Sequence, residues 1–182
     1  MENNNQQVEK KPFYKKWWVW LIAGLIVLGI IGGINGGTAG GKSSKAIEVN
    51  EWGTAGNYQV RVVSVENTKE FGTGAVGHYT TQNNYVCILV ELKNNSNYTH
   101  SFSYNDFKIA EGSNKYESKG TEAYWYSDSK GKNYPALYLN GSIDGGLSGK
   151  YYLVFETAKS TTNASYQLIY SYGFDTITIN LK

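Results

Sequence analysis

Few residues in this chain could support chemistry, and their spacing decides what each could do. The one cysteine, Cys87, could in principle act as a nucleophile with His78 or His100 as its base. It stands inside an apolar run, Tyr85-Val-Cys-Ile-Leu-Val, where a thiol behaves as a small hydrophobe and no neighbouring cation lowers its pKa. Ser127-Asp-Ser-Lys130 matches the S-x-x-K of penicillin-recognising enzymes, but the partner motifs of such a site are missing and turn chemistry explains the run better. Residues 36–43, GGTAGGKS, fit the phosphate-loop pattern G-x-x-x-x-G-K-[ST] at every position. That loop works only between a parallel strand and a helix, with a magnesium-binding acid on another strand. The residues after Ser43 carry no helical apolar stripe, and the rest of the chain shows no βαβ alternation, so the run reads as a Gly/Ser-rich spacer and no nucleotide is expected. Two histidines without i, i+4 spacing, dispersed acids and a lone cysteine predict no metal, no cofactor and no intrachain disulfide. The Asn-x-Ser/Thr sequons at Asn94, Asn97, Asn140 and Asn163 would matter only in a eukaryotic secretory pathway.

The elements that must carry these residues are bounded by length and charge. With 182 residues the chain has room for one domain and an attached segment. The net charge of +2 lies in residues 1–41, which hold four lysines and two glutamates, while the remainder carries thirteen charges of each sign. A neutral C-terminal part lacks the basic surface that nucleic acid demands. Residues 17–34, WWVWLIAGLIVLGIIGGI, have no charged side chain and approach the roughly 20 residues a membrane-spanning helix needs. Lys10, Lys11, Lys15 and Lys16 precede this run, so the positive-inside bias keeps residues 1–16 in the cytoplasm. Trp17, Trp18 and Trp20 sit at the lysine end, as an interfacial belt requires, and membrane lipid is the expected partner of 17–34. Residues 35–45 form the spacer, and 46–182 are expected outside the cell. A cleaved secretory signal is the competing reading, with Gly37-Thr38-Ala39 as the small-residue site. A lipoprotein anchor is excluded, because no cysteine follows the apolar segment.

Beyond residue 46, short β-rich runs separated by Gly, Asn, Asp and Ser clusters predict an all-β, immunoglobulin-like antiparallel sandwich of about seven or eight strands, with no helix. Val60 and Val62 mark one inward face. Val86, Ile88, Val90 and Leu92 mark another by strict alternation, opposite a mixed face of Tyr85, Cys87, Leu89 and Glu91. Phe107 and Ile109, Leu137 and Leu139, Leu153 and Phe155, Leu168 and Tyr170, and Ile177, Ile179 and Leu181 repeat the alternation. The runs GNYQVRVVSV from Gly56, NYVCILVELKNNS from Asn84, DFKI from Asp106 and GLSGKYYLVFE from Gly146 resemble the telokin-like domain-of-unknown-function family over about residues 51–182. The resemblance implies an immunoglobulin-like extracellular domain of Gram-positive membrane-anchored proteins and lipoproteins. It implies no catalytic or ligand residues.

One stretch stands out within the domain, the aromatic and glycine-rich 119–138 centred on Tyr124-Trp125-Tyr126. Exposed aromatics there would make a stacking platform for wall glycan or an anchor for an envelope protein. As a strand, the same residues would instead send Tyr124 and Tyr126 to the core and leave Trp125 over a sheet edge. If Trp125 is an exposed anchor, its replacement by alanine leaves melting nearly unchanged and weakens binding. The expected function is therefore a non-enzymatic, membrane-anchored surface domain that binds an envelope component. A structural or assembly subunit of a membrane complex is the alternative, and a wall hydrolase the weakest class.

Overall fold

The computed structural model describes residues 45–74, 77–138 and 141–182. Long runs of β-branched and aromatic residues form two four-stranded antiparallel sheets. The first has β1 (Gly53–Ala55), β2 (Tyr58–Phe71), β3 (Tyr79–Asn94) and β8 (Ser148–Thr157), adjacent in that order. The second runs β10 (Asp175–Asn180), β9 (Gln167–Tyr172), β5 (Phe107–Glu111) and β6 (Asn114–Glu117). β4 (His100–Phe102) pairs with β7 (Gly141–Ile143) as a two-stranded piece. Ten strands among the described residues exceed the seven or eight expected, because β1, β4 and β7 are only three residues long and carry too little alternation to be read from sequence.

The core lies between the two large sheets. Val60, Val62, Val86, Ile88, Val90, Leu92, Phe107, Ile109, Leu153, Phe155 and Leu168 are all fully enclosed, as the alternation predicts. Leu137 is buried as well, although it lies outside any strand. Leu139 falls outside the described residues. The tail residues 1–16, the segment 17–34 with Lys10, Lys11, Lys15, Lys16, Trp17, Trp18 and Trp20, and spacer residues 35–44 lie outside them too. Among the described residues no helix is long and apolar enough to cross a membrane.

A helix corrects the all-strand expectation. α1 (Gly120–Ser129) lies on the outer face of the first sheet, where Ala123 and Tyr126 join Phe71, Tyr85, Cys87 and Val154 in a second apolar cluster. This is why Tyr85 and Cys87, on the mixed face of β3, are buried. The helix-forming signal is weak, since its inward positions at i, i+3 and i+4 are Ala123, Tyr126 and Ser127 rather than large aliphatics. Packing, not propensity, stabilises it. Its start is pinned to β8 by Lys119 N–H donating to the Val154 carbonyl (2.7 Å), and Gly131, at φ 71°, helps end it.

A β-bulge in β2 connects the two layers. Register shifts between Val62, which faces Val90, and Ser64, which faces Leu89. The extra residue reverses the alternation, so Val65 turns to the core side and Glu66 turns outward beneath α1.

At the other end of β3, Asn94 organises a loop. Its buried amide donates to the carbonyls of Tyr98 (2.7 Å) and Ile143 (2.9 Å), and its oxygen accepts from the Ser96 N–H and hydroxyl. A sugar on a side chain so enclosed is incompatible with this packing.

Candidate binding cleft

After α1 the chain returns along β8 as a strap. Tyr152 N–H donates to the Pro135 carbonyl and Leu137 N–H to the Tyr152 carbonyl, both at 2.9 Å, so the strap pairs with the sheet edge at Ala136 and covers it. Ser127 ties helix to strap, its hydroxyl donating to the Tyr134 carbonyl at 2.6 Å. Between them lies a cleft of about 360 Å³ lined by Tyr124, Ser127, Lys132, Pro135, Ala136 and Tyr138.

Two tyrosine faces dominate the cleft. Tyr124 is 46% exposed and Tyr138 38%, with ring centroids 6.4 Å apart and planes tilted by 53°. Tyr104, from the 3-10 turn before β5, stacks behind Tyr138 at 6.3 Å. The tyrosine pair depends on a glycine: a β-carbon at Gly120 would stand 2.7 Å from the Tyr138 ring and 3.2 Å from Tyr104. At the rim, Lys132 Nζ lies 3.0 Å from Asp128 Oδ1, and that hydrogen bond raises the lysine pKa above its ordinary value, keeping it cationic. Ring faces, the hydroxyls of Tyr124, Tyr138 and Ser127 and a rim ion pair can stack against a flat apolar surface and hydrogen-bond its edges.

The three aromatics singled out from sequence go to three different environments, because a helix turns about 100° per residue where a strand alternates. Tyr124 lines the cleft. Trp125 is half-buried and packs on Gly77 of the β2–β3 connection. Tyr126 is buried, and its hydroxyl donates to Glu66 Oε2 at 2.7 Å, with Lys130 Nζ bonded to both oxygens of the same carboxylate. The strand arrangement, with Tyr124 and Tyr126 on one inward face, is not realised, because the segment is helical: only Tyr126 is buried. Tyr138 ends the aromatic stretch and is visible as composition, and Lys132 lies within it; Tyr104 carries no sequence signal, since only the fold brings it beside α1.

The candidate chemistries take different places. Burial, then the nearby Glu66 charge, push the Cys87 thiol pKa far up, so the group is a protonated core side chain. His100 is stacked on Tyr58 at 3.9 Å, while His78 sits 3.7 Å from Glu70 on the surface. Ser127 and Lys130 lie in and just after the last turn of α1, with Ser127 bonded to the strap and Lys130 to Glu66. Among the described residues no group of three metal-ligating side chains is assembled. A second cleft of about 440 Å³ borders the end of β10, where three of its polar side chains are bonded to one another, Gln167 donating to Asn180 and Asn180 to Glu48. The aromatic cleft leaves its ring faces open to a ligand.

Comparison with curated proteins finds no match. Among solved structures, a conserved hypothetical protein from Bacillus anthracis superposes with a TM-score of 0.57 at 15% identity, over 76% of this chain and 96% of that one. The lipoprotein candidate ycdA of Bacillus subtilis superposes with a TM-score of 0.51 at 18% identity, over 71% of this chain and 37% of ycdA. Both likenesses show the shared β-sandwich fold. The family model of a domain of unknown function, DUF4352, matches residues 47–177, and the chain belongs to that family.

Proposed function

We propose that this chain is a single-pass surface protein, N-terminus cytoplasmic, whose β-sandwich binds a saccharide of the bacterial envelope in the cleft between α1 and the strap. The observation that carries the reading is the pair of open tyrosine faces, Tyr124 and Tyr138, inclined across a cleft of about 360 Å³. Such a volume lies at the lower end of small-ligand sites and suits one or two sugar rings stacked on aromatic faces. The anchor is supported by the uncharged run 17–34 and the lysines before it. A location outside the cytoplasm is further supported by the likeness to the lipoprotein candidate ycdA. Activity without catalysis agrees with the protonated, enclosed Cys87.

The test is titration of the full chain in lipid nanodiscs with soluble peptidoglycan fragments. Saturable binding weakened at least about tenfold by Tyr124→Ala and by Tyr138→Ala, and unchanged by Tyr98→Ala, is the expected result. Undiminished binding by both cleft variants, or no binding at all by the parent, overturns the glycan reading. Capture of an envelope protein in place of glycan, lost in the same two variants, would assign the cleft to a protein ligand.

A further inference from the structure

One end of the sandwich carries exposed apolar side chains that the cleft does not use. β9 and β10 are joined by the two-residue turn Gly173-Phe174, with Gly173 at φ 58°, and Phe174 at its tip is 92% exposed. Tyr98 in the β3–β4 loop is 82% exposed, and Leu147 before β8 is 58% exposed. Hydrogen bonds and close packing hold these loops together as one surface. Gly56 N–H donates to Asp175 of the β9–β10 hairpin, and Asn95 N–H to the Asn57 carbonyl. Gly145 packs on Ser96 and Asn97, and Thr99 donates to Asp144. Three acids at this end are thus engaged, Asp144 and Asp175 by neighbouring loops and Asp106 by the Ser103 N–H, while the apolar groups point to solvent.

The path of the chain gives this surface a direction. Ile47 bridges Ile179 in parallel, and β10 runs away from the hairpin tip. Ile47, level with Ile179 and four residues into β10, thus runs in the same direction as the strand, and the chain before it comes from the side of the β9–β10 tip and Phe174. Only residues 35–44 separate Lys45 from the apolar run 17–34, and ten residues reach at most about 35 Å.

We propose that Phe174, Tyr98 and Leu147 form a lipid-contact face that rests in the headgroup region of the bilayer to which residues 17–34 tether the chain. This rests on the membrane-anchor part of the proposed function and adds an orientation: the β9–β10 hairpin faces the lipid, and the opposite end, with the β5–β6 turn, faces away. Aromatic side chains partition favourably to the interface, and a tether within a few nanometres makes even a weak contact persistent by raising its effective concentration.

The experiment uses the full chain reconstituted in phosphatidylglycerol–phosphatidylethanolamine vesicles containing a headgroup-nitroxide lipid. A fluorophore is attached at Y98C, L147C, F174C or, as the distal control, S113C in the β5–β6 turn; buried Cys87 stays unlabelled. At least about twofold quenching at 98, 147 and 174 with none at 113 is the expected result. Flotation with the vesicles but no quenching at the three tips overturns the lipid face and leaves the anchor standing. Failure to float overturns both. Excimer emission from pyrene at 174, without quenching, assigns the tips to a second copy of the chain and overturns the lipid face.

Discussion

The indole of Trp125 lies against the Cα of Gly77, so close that a β-carbon at that position would overlap the ring. Gly77 is held at φ 93°, a conformation that only glycine adopts without strain. The contact fastens the long β2–β3 connection to α1, so Trp125 belongs to the packing between layers. Trp125→Ala is expected to cost about 2 kcal/mol, below the full-burial range because the ring is half-buried. Gly77→Ala should cost a similar amount through strain and overlap combined. Urea unfolding of both variants checks this, and a melting curve unchanged by Trp125→Ala would return the indole to the role of an exposed anchor.

That contact also shows what a sequence can and cannot display. The alternation Val86, Ile88, Val90, Leu92 is legible because a strand exposes its period to inspection, and each of the four is fully buried. The helix is not legible, because Tyr-Trp-Tyr carries strand propensity and the inward Ala123 and Ser127 carry almost no apolar signal. The bulge after Val62 is hidden for another reason: it is defined by register against β3, which a single strand's sequence does not contain. All six lining residues of the cleft fall within the aromatic stretch that ends at Tyr138. Its geometry, with Tyr104 behind and Gly120 beneath, arises only when the strap pairs with β8.

Asn94 supports a different prediction. Both of its amide atoms are bonded, to two carbonyls and to Ser96, in a buried site. Asn94→Ala leaves the Ile143 and Tyr98 carbonyls without that donor and should cost about 2 kcal/mol. Asn94→Asp should cost at least as much at neutral pH, because a carboxylate would face those two carbonyls and cannot donate to them. Chemical denaturation of the pair measures it, and a loss below about 0.5 kcal/mol in both would show that the loop has an independent support.

His100 is stacked on Tyr58 and lies edge-on to Phe102 and Tyr172, and its burial lowers the imidazole pKa despite the opposing charge of Asp106. Between the lowered folded value and the unfolded value of about 6.5, the unfolded chain binds more protons. Stability is therefore complete above about pH 6.5 and declines as pH falls through the folded value. His100→Phe preserves a ring in the stack and should remove that part of the decline. Tm measured across pH 4.5 to 7.5 for parent and variant gives the comparison, and identical slopes would mean that other groups cause the acid sensitivity.

The final prediction concerns the carboxylate that the bulge turns beneath α1. Burial alone would raise the Glu66 pKa, yet the hydrogen bonds from Lys130 and from the Tyr126 hydroxyl outweigh it and hold the group below its ordinary value. A depressed carboxylate contributes stability that is complete above the unfolded pKa of about 4.3 and is lost as pH falls through the folded value. The same bonds also fasten the C-terminal half of α1 to β2, so acidification should loosen the helix that forms one wall of the cleft. Glu66→Gln keeps the shape and an acceptor for Tyr126 but lacks the charge that attracts Lys130. It should therefore be about 1 kcal/mol less stable than the parent at pH 7 and nearly equal to it once pH falls below the folded value of Glu66. Hydrogen exchange of the α1 amides at pH 7 and below that value locates the effect: protection lost at acid pH in the parent, and already reduced at pH 7 in the variant. Equal protection in parent and variant at pH 7 would show that the enclosed rings of the second cluster hold α1 without help from the carboxylate.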